Sequence, residues 1–187
     1  MTRYLILLIL LSLAGCNDKK LPTPVETVSM LQEIEELGTV EYTISKVIKA
    51  DDNKTWFKAG DRKILINCEA IIKAGINMKE LSEKDLSRSG KTITILLPQP
   101  KILSVNIPPE KINVAFEKVG MFRDPFSGKE RDALMVQAER QIINSGLELG
   151  IIDQAKINTQ LLLSRLLMQL GFEKVVLSYS TSTINRQ

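Results

Sequence analysis

Lys63-Ile64-Leu65-Ile66-Asn67-Cys68-Glu69-Ala70-Ile71-Ile72-Lys73 reads as a β-strand. Ile64, Ile66, Cys68, Ala70 and Ile72 recur every second residue, with Lys63, Asn67, Glu69 and Lys73 between them. A period of two sends the first set to one face and the second to the other, where Leu65 and Ile71 add apolar area. One face is suited to cover a core and the other to meet water, the pattern of a half-buried antiparallel sheet. Cys68 falls on the apolar face, where a thiol packs as a small hydrophobe and stays unreactive, a reading that outweighs a redox or nucleophilic role.

The same period appears on both sides of this stretch. Upstream, Val40, Tyr42 and Ile44 alternate with Glu41, Thr43 and Ser45, and Asp51-Asp52-Asn53 supplies a turn before Gly60-Asp61 opens the quoted strand. Downstream, the charged run Lys79 to Arg88 reads as a solvated loop or short helix. Ile93, Ile95 and Leu97 then alternate until Pro98-Gln99-Pro100, a proline pair that marks a sheet edge or corner. Leu103, Val105 and Ile107, then Ile112, Val114 and Phe116, give two further strands, and Val175, Leu177 and Tyr179 a closing one.

Helical spacing appears in three places. Thr23-Pro24-Val25-Glu26 is a capping box with proline at the first helical position, leading into Val28, Leu31, Ile34 and Leu37, with Gly38 as the stop. Leu134, Ala138 and Ile142, with Leu149 beyond, form one stripe that Gly146 and Gly150 are expected to break. From Asp153 to Leu170, Ala155, Thr159, Leu162, Leu163, Leu166, Leu167 and Leu170 form one wide face, with Ile157, Leu161 and Met168 outside it and Gly171 as the cap. The fold class expected is α+β: a mainly antiparallel sheet of five to six strands packed against two C-terminal helices, preceded by one N-terminal helix.

The N-terminus supplies an address. Arg3, the apolar run Tyr4 to Leu11 and then Leu13-Ala14-Gly15-Cys16 form an export signal too short to remain as a spanning helix. The last four residues resemble the lipobox of bacterial lipoproteins, in which the cysteine is lipidated and becomes the new N-terminus. The competing readings are an ordinary secretory signal or a short uncleaved anchor. The expected organisation is therefore a signal peptide at 1–15, lipidated Cys16 and a short tether at 16–24, and one globular domain at 25–187. Cleavage leaves 172 of the 187 residues, enough for one domain with a substantial core. Lipid on Cys16 leaves Cys68 as the only thiol, so no internal disulfide can form. Several acyl chains would hold the protein firmly to a leaflet without spanning it. Asn17, where aspartate favours inner-membrane retention in enterobacteria, favours the outer membrane, facing the periplasm.

The residues exclude more chemistry than they suggest. The chain has no histidine, which removes Ser-His-Asp and Cys-His catalysis and the usual zinc sites. Ser89-Gly90-Lys91-Thr92 imitates the end of a phosphate loop, but Asp85 stands where the first glycine is required and the segment leads into a strand, so it reads as a hairpin. Glu33 with Glu36, and Glu80 with Glu83, sit at solvent-facing helical spacing and read as hydrated faces, not as a glycosidase pair. Asp51-Asp52-Asn53 lacks the other ligands of a calcium loop, and Asn53-Lys54-Thr55 is a glycosylation pattern of little weight in a bacterial lipoprotein. Without Arg3, 24 basic side chains face 22 acidic ones, interspersed, so nucleic acid is not an expected partner. No cofactor, metal or enzymatic activity is expected.

Two features suggest contact. Phe122, Arg123, Asp124 and Phe126 lie in a turn-rich strand-to-helix loop whose composition suits a partner site, although both rings tucking under the helices as core is the plainer expectation. The Leu-rich helix around Leu161 to Met168 either packs wholly as core or meets another subunit on its outer side, and Ile142, Leu162 and Leu166 are the residues that would line an apolar ligand pocket.

Five segments stand in order along the chain: Leu37-Gly38-Thr39-Val40-Glu41-Tyr42 with Lys46-Val47, then Ile72-Lys73-Ala74-Gly75-Ile76-Asn77, Ile93 through Leu103, Gly150-Ile151-Ile152-Asp153-Gln154-Ala155, and Leu166 through Val175. On these segments the chain resembles, from Leu37 to Tyr179, a bacterial domain of unknown function, domain-of-unknown-function family 4230. The resemblance implies an extracytoplasmic domain beside a membrane and supplies no activity, cofactor or catalytic residue. The expected function is that of a membrane-anchored envelope lipoprotein that binds a protein partner or itself; the alternative is a carrier of a small apolar or lipid ligand.

Overall fold

The computed structural model describes residues 21–52 and 60–180. They form helices α1 (Pro24–Gln32), α2 (Gly128–Glu148) and α3 (Ile151–Gln169). The strands are β1 (Glu36–Asp52), β2 (Arg62–Asn77), β3 (Leu86–Ser89), β4 (Thr92–Leu97), β5 (Lys101–Asn106), β6 (Ile112–Val119) and β7 (Lys174–Tyr179). The α+β class and the two C-terminal helices stand as expected.

β2, the strand that contains the quoted stretch, organises the larger sheet. β1 pairs with it antiparallel from Glu36↔Asn77 to Asp52↔Arg62. Its other edge is shared end to end, by β6 along Arg62–Cys68 and by β5 along Ile71–Gly75. The remaining strands form a second, three-stranded sheet in the order β3-β4-β7. There β3 and β4 make a hairpin that turns at Gly90-Lys91, as the departure from the phosphate-loop pattern predicts, and β7 runs parallel to β4.

The strands are thus divided between two sheets, and the proline pair shows why. Pro98 and Pro100 have no N–H to extend a ladder, and the chain leaves the small sheet at Leu97 and enters the large one at Lys101. The charged run also holds an unexpected strand, β3, after two single 3-10 turns at Met78–Glu80 and Glu83–Asp85. Three of its four side chains are exposed, so no period marks it.

The apolar stripes close two cores. Ile44, Ile48, Ile64, Ile66, Cys68, Ala70, Ile72 and Ala74 from the large sheet meet Phe126, Leu134, Ala138, Ile142, Ile151 and Ala155. Val28, Leu31, Ile76, Met78, Leu81, Ile93, Ile95 and Leu97 meet Leu163, Leu167 and Phe172 in the other. β2 and α3 contribute to both. At the seam, buried Thr159 of α3 lies 3.2 Å from the hydroxyl of Thr39, and Asn158 Nδ2 donates to Thr39 O at 2.9 Å. Thr39 is the extra residue at a bulge in β1, so its backbone is available to the helix.

Two helix boundaries differ from the expectations. The Thr23 capping box forms, but α1 stops at Gln32 and Gly38 lies inside β1. Glu35 makes the turn with φ 56°, and its carbonyl accepts from Met78 N at 2.7 Å. Gly146 does not break α2: it is buried within it, and Gly150, the N-cap of α3 with φ 75°, is the true joint. Leu149 therefore lies beyond the buried stripe and is exposed.

Candidate functional site

α3 buries Ile151, Ala155, Thr159, Leu163 and Leu167, each four residues after the last. At about 100° per residue, Ile157, Leu161 and Met168 fall roughly opposite that stripe. They are 52%, 54% and 52% exposed. With Ser164 they follow one another at 157, 161, 164 and 168, spacings of four, three and four, the rhythm of a helix seam that meets a second helix. Charge is sparse on this helix, confined to Asp153, Lys156 and Arg165, whereas α2 opens with Lys129, Glu130, Arg131 and Asp132 and carries Glu139 and Arg140 on its outside. An ordinary solvent face would resemble that of α2. Sequence spacing alone sets Ile157, Leu161 and Met168 outside the core face, and the fold agrees.

The second feature is the loop between β6 and α2. The structure separates the residues grouped there by composition. Phe126 enters the large core at 8% exposure, whereas Phe122 is 76% and the adjacent Met121 91% exposed, so one ring is core and the other is not. Asp124 is exposed, with its carbonyl accepting from Arg62 at 3.4 Å. Arg123 is turned inward: its guanidinium binds Asp52 and donates to Gly60 O at 3.1 Å.

Behind the loop lies a network no local motif announced. Arg62, at the start of β2, donates from Nε to Asp52 Oδ2 at 3.0 Å, pairs with Glu130, and stacks 4.4 Å from the centre of the Phe126 ring. Glu130 also completes the α2 capping box, accepting from Ser127 N at 2.8 Å. Arg62 beside it, with the Ser127 N–H and hydroxyl, holds the Glu130 carboxyl down to about 2. Two guanidiniums and two carboxylates offset one another, so the cluster fixes the loop and does not present a net charge.

The other expected site residues are dispersed. Ile142 is fully buried in the core under the large sheet, Leu166 packs against the core under the small one, and Leu162 is 47% exposed on the flank of α3, so the structure does not bring the three together. Cys68 is buried, its Sγ donates to Lys46 O at 3.7 Å, and burial pushes the thiol up. Cys16, Asn17 and the signal lie outside the described residues, as do Asn53, Lys54 and Thr55. Among the described residues no group of acids and cysteine could hold a metal ion, and no helix is long and apolar enough to cross a membrane.

The chain matches a family model described as Protein of unknown function (DUF4230) over residues 29–177. That span runs from within α1 to within β7 and takes in both cores apart from Val28. No curated protein matches the chain, and no solved structure does. The chain belongs to the DUF4230 family.

Proposed function

We propose that this protein is a lipid-anchored module of the bacterial cell envelope that works by binding another protein chain and catalyses no reaction. Leu13-Ala14-Gly15-Cys16 supports the anchor, on a membrane facing the periplasm, with Asn17 favouring the outer one. The observation that carries the binding role is the outer stripe of α3: Ile157, Leu161 and Met168, each about half exposed and spaced as a helix seam, on a helix with few charges. Apolar side chains held in a row outside a filled core cost solubility and gain nothing from folding, which is how contact surfaces are marked.

The test is photo-cross-linking in intact cells from a benzoylphenylalanine at position 161, with position 139 on the charged outside of α2 as the reference. The expected result is a discrete protein adduct, with a second copy or another envelope protein, from position 161 and none from 139. Equal, diffuse labelling from both positions would contradict the reading. An adduct of lipid mass would support the carrier alternative instead.

A further inference from the structure

The Met121-Phe122 tip points to a second kind of contact, and we infer that it dips into the surface of the bilayer to which the chain is tethered. It is a constructed projection. Gly120 N donates to Asp61 O at 2.9 Å, Arg123 N donates to Gly120 O at 3.0 Å, and the inward Arg123 side chain ties the turn to Asp52 and Gly60. Backbone and guanidinium are fixed behind Met121 and Phe122, which stand out at 91% and 76% exposure. Phe126, four residues on, shows that the same loop can bury a ring where one is wanted in the core.

Size decides between a protein and a lipid occupant. Two side chains expose apolar area on the order of 300 Å², whereas a specific protein interface takes about 800 Å² from each partner. Among the described residues, Lys118, Asp124 and Lys129 flank the tip and are exposed, with Pro125 the one other exposed apolar residue between them. A bilayer asks for no wider complementary surface; it takes a small apolar wedge, and flanking lysines suit an anionic headgroup layer. The tether sets the geometry, and here the inference rests on the proposed lipid at Cys16. Residues 17–21 reach at most about 18 Å from the leaflet. Leu21 is held at the small-sheet end, where its carbonyl accepts from Arg88 at 3.3 Å. The tip is at the Arg62 end of β2, a strand of 16 residues and so about 50 Å long. The tether bounds only the Leu21 end; the inferred tip contact adds the other, so that the long β1–β2 ladder lies along the membrane.

The experiment uses the full-length protein with Trp56→Phe, which removes its only tryptophan, and Phe122→Trp, which keeps the tip apolar. Reconstituted in phosphatidylethanolamine–phosphatidylglycerol vesicles, the tip indole of this Phe122→Trp variant should emit to the blue of its position in urea and lose half or more of its intensity to brominated lipid. A tryptophan placed instead at position 139 should keep its emission. Tip emission that acrylamide quenches and brominated lipid does not, or equal lipid quenching at 122 and 139, would overturn the inference. Should the tip be quenched by lipid on a chain whose mass shows no acyl groups at Cys16, the lipid contact stands and the anchor falls. An acylated chain whose tip stays in water keeps the anchor and refutes the contact.

Discussion

Arg62 ties the N-terminal end of β2 to everything around it: Asp52 across the hairpin, Glu130 at the start of α2, and the Phe126 ring beneath its guanidinium. Its partner Glu130 has a carboxyl held down to about 2, below its ordinary value near 4.5. A depressed carboxylate stabilises the fold fully above the unfolded value, and that contribution is lost as pH falls from about 4.5 toward 2. Glu130→Gln keeps the capping acceptor and removes the charge. The variant should melt lower than the parent at pH 7 and approach it as the pH is lowered through that window, measured by thermal melts at several pH values. Parallel curves would show that the pair adds no stability. The sequence conceals this network because Asp52, Arg62, Arg123 and Glu130 come from four separate elements, and a lone arginine at a strand start carries no signal of its partners. Residues whose environment follows from periodicity alone, such as Cys68 on the apolar face of β2, are legible.

At the scale of elements, alternation identifies β1, β2, β4, β5 and β7, because each has one face on a core, and it also marks β6, although Val114 and Phe116 of that strand are exposed and only Ile112 packs on the core. β3 escapes for the opposite reason: Leu86-Ser87-Arg88-Ser89 buries only its leucine. The end of α1 differs from its expected place because Glu35, not a glycine, takes the positive φ. Gly146 looks like a helix breaker in the sequence, but its role is closeness. A Cβ there would stand 2.8 Å from Ile72 Cδ1, and Ile72 is fully buried. Gly146→Ala should therefore cost about 1–3 kcal/mol through overpacking, in spite of the roughly 1 kcal/mol that alanine gains over glycine in helix propensity. Chemical denaturation measures the difference; a more stable variant would mean that the core gives way freely around Ile72. Gly171, with φ 106°, ends α3 in the cap conformation that its sequence position implies.

In the whole molecule, two cores share a strand and a helix, and among the described residues α3 is covered on one side only. The α+β class and most of the inner faces of both C-terminal helices can be read from spacing, although Leu162, expected on the α3 face, is exposed. The division into two sheets cannot, since pairing partners about 80 residues apart, such as Ile93 and Val175, leave no trace in local pattern. The candidate contact surfaces are half legible: Ile157, Leu161 and Met168 stand outside the core face by spacing, but Phe122 and Phe126 are told apart only by the fold. The proposed lipid on Cys16 is the premise that the tip contact rests on, because it would hold the Leu21 end of the domain within about 18 Å of a leaflet. The measurement that tests this most directly is the intact mass of the protein isolated from its own envelope. A chain of 172 residues that begins at Cys16 and carries diacylglycerol and an N-terminal acyl group is the predicted result. A chain with an unmodified Cys16, or one that begins elsewhere, would contradict it.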